Sequence, residues 1–82
     1  MILSFNVEVR SGTKLINAVV TPFPANDVIL FDVHTEQKVF TIKPMNTKAN
    51  AVLWVNLRNE PSEIYQEIGR EIQKKYKNIS NI

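Results

Sequence analysis

The hydrophobic period changes once along this 82-residue chain, near residue 60, and that change limits the folds open to it. Before it, apolar and polar residues alternate, as a strand buried on one face requires. After it, apolar residues recur every three to four positions, as an amphipathic helix requires. Leu3, Phe5, Val7 and Val9 alternate with Ser4, Asn6, Glu8 and Arg10, whereas Ile64, Ile68 and Ile72 fall at i, i+4 and i+8, with Tyr65 and Tyr76 extending the stripe. Strands first and one helix last is an α+β order, β-β-β-β-β-α, and short hairpin connections favour antiparallel pairing. Two arrangements satisfy it: an antiparallel five-stranded sheet with one C-terminal α-helix across it, or a small SH3-like or OB-like barrel plugged by that helix. The length allows residues 1–82 a single domain.

Strands are predicted over about residues 2–10, 14–21, 28–34, 38–43 and 51–57, and a helix over about 60–77. Ser11-Gly12-Thr13 turns the first strand into the second. Leu15 and Val19, opposite Ile16, Ala18 and Val20, predict a second strand covered on both faces or enclosed in a closed sheet. Pro22 and Pro24 lack the donor a ladder needs, so residues 21–27 read as a loop with Phe23 held stiffly between prolines, as a lid or on display. Pro44 is expected to stop the fourth strand. Asn59 or Glu60 is placed to cap the helix, with Pro61 in its first turn. Glu60 and Glu63 lie at the positive end of the helix dipole and Lys74, Lys75 and Lys77 at the negative end, with Glu71 and Lys75 as an i,i+4 pair. Gly69 costs about 1 kcal/mol relative to alanine inside a helix, which close approach of helix to sheet would offset.

Composition removes several chemistries. With no cysteine there is no disulfide framework, cysteine nucleophile, thiolate zinc site or iron–sulfur cluster. His34 is the only histidine, so any metal would depend on carboxylates, and Gly12 and Gly69, the only glycines, cannot build a phosphate-cradling loop. No cofactor is expected. Ten Lys+Arg oppose eight Asp+Glu, split evenly: residues 1–57 hold five basic and four acidic groups, and residues 58–82 hold the same. Neither part is a polyelectrolyte tail. No run of 18 apolar residues and no cationic apolar leader is present, so a soluble cytoplasmic protein without a membrane partner is expected. Abundant Asn, Ile and Lys, with Lys favoured over Arg, fit an A+T-rich genome such as that of a low-GC bacterium, its phage or its plasmids.

Four features bear on function. Asp32, His34 and Glu36 share a face if their strand persists, an arrangement open to acid–base chemistry, or they decorate a hairpin turn. Trp54, next to Arg58 in the alternation, is either a binding hot spot or the floor beneath the helix. The expected function is a small non-enzymatic protein-binding module, a regulator or inhibitor, with Trp54, Phe23, Phe31 and Arg58 as contacts. The apolar strands at 28–33 and 51–57 would offer an edge or face to a protein partner or a second copy. The alternative is a nucleic-acid-binding barrel in which Arg10, Lys14, Arg58, Arg70, Lys74, Lys75 and Lys77 meet phosphates while Trp54 or a tyrosine stacks on bases.

Overall fold

The computed structural model describes residues 4–47 and 51–75. Its elements are β1 (Phe5–Ser11), β2 (Lys14–Ala25), β3 (Val28–His34), β4 (Val39–Asn46), β5 (Val52–Val55) and α1 (Glu63–Lys75). Every strand pairs antiparallel with its neighbour in sequence, giving one sheet in the order β1-β2-β3-β4-β5. The sheet curls into a half-barrel, and α1 packs against both edge strands, β1 and β5. The expected α+β order holds, with the helix lying along the open side of an incompletely closed sheet.

Register sets how far each strand runs. Ser11 pairs with Lys14 and Ala25 with Val28 around two-residue turns. Gly12 (φ 64°) and Asn26 (φ 58°) each take the first central position with the positive φ that mirror-image hairpin turns require. The residues flanking such a turn exchange hydrogen bonds, and in an antiparallel ladder only alternate pairs do so. The odd-numbered residues of β2 therefore bond toward β3, and its even-numbered residues toward β1. Pro22 and Pro24 are even, so their nitrogens point away from β3 and neither removes a donor from the β2–β3 ladder. Residues 21–25 consequently continue β2 as a strand and are not a loop. Phe23 sits on the convex face opposite Leu30, half-buried, neither lid nor loop tip. The same holds at Pro44, which β4 passes through: its ring faces the β3 side, beyond the last β3–β4 pair at Phe31 and Ile42.

One face of the sheet and one face of the helix make the core. Val7, Val9, Ala18, Val20, Phe31, Val33, Ile42 and Trp54 pack with Ile68 and Ile72 of α1. Trp54 meets Phe31 edge-on, with ring centroids 5.5 Å apart. Gly69 rests directly on the Trp54 indole, where a Cβ would penetrate the ring at Cγ, Cδ1 and Nε1. The close approach expected of Gly69 is therefore to this tryptophan. Trp54 Nε1, sealed beneath the helix, has no hydrogen-bond partner among the described residues. The other face of β2 is not covered: Leu15 and Val19 are exposed, because the sheet is a single layer and its convex side faces solvent.

The helix also manages the edges of the sheet. By the ladder alternation, Trp54 turns its backbone groups outward from β5, and the Gln66 side chain takes both. Trp54 N–H donates to Gln66 Oε1 at 2.9 Å, and Gln66 Nε2 donates to Trp54 O at 2.6 Å and to Ser62 O at 3.1 Å. The amide of Gln66 thus stands in for one residue of a sixth strand. At the opposite edge, Lys75 Nζ donates to the Asn6 carbonyl at 2.7 Å. Covering an edge in this way removes a template for unwanted pairing. Glu71 pairs with Lys74 at 3.0 Å, not with Lys75, which is drawn away to β1.

The helix begins later than expected. Asn56 accepts the N–H groups of Arg58 and Glu60 on Oδ1 and donates through Nδ2 to Glu60, Asn59 takes φ 63°, and Pro61 bridges back to Val55. This closed turn uses residues 56–61 before α1 starts at Glu63. The expected helical positions Tyr76 and Lys77, and the expected strand positions 2 and 3, lie outside the described residues.

Candidate protein-binding groove

A groove of about 780 Å³ opens at one end of the half-barrel, where strand lengths do not match. β2 is 12 residues long and β3 is seven, and β3 pairs with β2 only up to His34 opposite Val19. The β1–β2 hairpin therefore overhangs the sheet by residues 14–18. Beyond His34 the chain turns through residues 35–38. Thr35 Oγ1 accepts the N–H groups of Gln37 and Lys38 in that turn, and Thr35 N–H donates to Lys38 O. The groove lies between the overhang and this turn, with the start of α1 as its third wall.

Its lining combines apolar and charged side chains. Leu15 and Ile16 come from β2, Val39 and Phe40 from β4, and Ile64 and Tyr65 from α1, with Phe40 and Tyr65 paired ring to ring at 5.5 Å. Lys14, Glu36 and Lys38 stand around them. Val39 is 66% exposed and Leu15 54%, two of the most exposed large apolar side chains among the described residues. Leu57, 60% exposed, is in the turn after β5 and does not line the groove. The volume is within the usual range for a binding cleft, roughly 300–1,000 Å³.

The residues singled out from sequence are dispersed. Trp54 and Phe31 are core residues and present no surface to a partner, because the helix and the curled sheet enclose them. Phe23 is on the convex face and Arg58 is exposed in the turn before α1, so the four do not form one patch. Residues 28–33 lie in the central strand β3, which pairs with β2 along its length and with β4 from Phe31 onward, so they are not an edge strand of the sheet. In 51–57 the edge strand is β5, whose outward groups at Trp54 are already taken by Gln66.

The basic residues are no more concentrated. Arg10, Arg70 and Lys74 line a shallow cleft between β1 and α1 together with Glu8, Glu67 and Glu71, three cations against three carboxylates. Lys14 is at the far hairpin tip, Lys75 is engaged by Asn6, and Lys77 lies outside the described residues. Asp32 and His34 share the convex face, but Asp32 accepts a hydrogen bond from Thr41 Oγ1 at 2.8 Å and Glu36 belongs to the turn. Among the described residues no three His, Asp or Glu side chains gather closely enough to hold a metal ion, and no helix is long and apolar enough to cross a membrane.

The groove was not found from sequence because it is made by an overhang, a property of register. No family model matches the sequence, and comparisons with curated proteins and with solved structures find no match.

Proposed function

We propose that this chain is a small non-enzymatic protein-binding module whose contact surface is the groove between the β1–β2 overhang, the 35–38 turn and the start of α1. The observation that carries the reading is the placement of Val39 and Leu15, both more than half exposed, on the rim of one apolar cleft floored by Phe40, Ile64 and Tyr65. Exposed apolar side chains are unremarkable singly; two that border the same cleft mark an interaction site. A regulator or inhibitor role fits a module of this size with one such surface. The nucleic-acid reading has weaker support, since the cations of α1 alternate with carboxylates around the β1–α1 cleft.

The test is differential capture from an extract of the cells that make the protein. Wild type and Leu57→Asp should retain the same partner, and Val39→Asp and Leu15→Asp should each lose it while melting within a few degrees of wild type. Retention by both groove variants, or equal loss by Leu57→Asp, would refute the assignment.

A further inference from the structure

We infer that the groove takes its partner as an added β-strand: an extended segment of another polypeptide that pairs with the free inner edge of β2 at Leu15 and Asn17. The inference rests on the groove reading and adds how the partner is held. Because odd-numbered residues of β2 direct N–H and C=O toward β3, Leu15 and Asn17 present theirs into the space that β3 leaves when it turns away after His34. The same alternation correctly places two independent contacts, the outward Asn6 carbonyl that Lys75 reaches and the outward Trp54 groups that Gln66 takes. At those edges a side chain of α1 engages the open backbone. At Leu15 and Asn17 no described residue does so, and the unpaired groups border the groove.

A strand entering there finds donors and acceptors at β2 spacing along one side. Its side chains alternate between the apolar floor of Ile16, Phe40 and Tyr65 and the rim of Leu15 and Val39. The rim charges are Lys14, Lys38 and Glu36, and the ion pair found among the described residues, Glu71 with Lys74, involves none of them. Two free cations against one carboxylate, beside the positive end of α1, favour a partner that carries an acidic residue or its own C-terminal carboxylate next to the paired apolar positions. The 35–38 turn walls the side facing β2, so the space suits a single strand better than the hairpin a second copy would bring.

The probe is a phage-displayed library of random heptapeptides selected on the full chain, followed by synthesis of the enriched sequences. Enriched peptides should carry apolar residues at alternate positions with an acidic flank. Their binding should slow hydrogen exchange at the Leu15 and Asn17 amides by tenfold or more. N-methylation of alternate peptide amides should weaken binding at least tenfold, and methylation of the intervening ones should have little effect. Asn17→Pro deletes one edge donor without removing an internal bond, since Asn17 and Glu8 form a non-hydrogen-bonded pair. This variant should melt close to wild type yet bind at least tenfold more weakly.

Peptides that perturb Val39 and Tyr65 but leave the Leu15 and Asn17 amides unprotected would overturn strand addition and keep the groove. Peptides that bind elsewhere, or no enrichment at all, would overturn both. Protection of those amides by the protein's own concentration-dependent dimerisation would assign the edge to a second copy and refute the peptide.

Discussion

Gly69→Ala should destabilise this protein, although the same change in an ordinary exposed helix would stabilise it by about 1 kcal/mol. The added Cβ falls inside the Trp54 indole, and Trp54 is itself held edge-on against Phe31. Carbon atoms pack at roughly 3.5–4.0 Å, so the helix must retreat by about 1 Å or more. A gap of that size forfeits a quarter to a half of the dispersion attraction across it. Ile68 and Ile72, both fully buried on the inner face of α1, are each worth about 1.5–3 kcal/mol of burial, so their partial loss costs about 1–3 kcal/mol. Residual strain from overpacking adds about 1–3 kcal/mol, and the gain in helix propensity returns about 1. The net is a loss of about 3 kcal/mol, which for a domain of this size lowers Tm by about 12–24 °C.

Thermal and urea unfolding of wild type, Gly69→Ala, Trp54→Leu and the double variant close a cycle that isolates the clash. With the indole gone, Gly69→Ala should become neutral or stabilising by up to about 1 kcal/mol. Stabilisation of the wild-type background, or an equal loss in both backgrounds, would refute the close-approach account.

Two further outcomes follow from local geometry. Gln66→Leu keeps side-chain bulk but leaves the Trp54 N–H and C=O without their partners; it should cost about 1–3 kcal/mol in urea unfolding and promote concentration-dependent association through the uncovered β5 edge, visible by sedimentation. Gly12→Ala meets no atom within 4 Å yet forces a Cβ onto φ 64°, so it should cost about 1 kcal/mol through the backbone alone, and Gly12→Asn should recover part of that.

The sequence made the element order and the identity of the buried face legible, because both follow from local periodicity. The isoleucines at 64, 68 and 72 name the inner stripe of α1, and the alternation from Phe5 to Val9 names the inner face of β1. Proline positions misled, because whether Pro22 breaks a strand depends on whether its nitrogen faces a neighbour, and that is decided by the register of β2 with β3. An apolar residue on each side of a strand, as at Leu15, usually implies two layers or a closed sheet; in this fold neither is present and the residue borders a groove. The role of Gln66 was equally invisible, since a glutamine on a helix carries no mark of the strand edge it will meet 12 residues back in the chain.

The contact of Lys75 with Asn6 spans 69 residues, whereas every ladder in the sheet joins strands adjacent along the chain. Hairpins of this kind close short loops at modest entropic cost and can form one after another as the chain lengthens. Fastening β1 to α1 must wait until Lys75 has been made. Until then the trough is open, with Trp54 and Phe31 facing water and both outer strands uncovered. This helix thus decides when a nascent sheet ceases to be a hazard to its neighbours and becomes a finished domain.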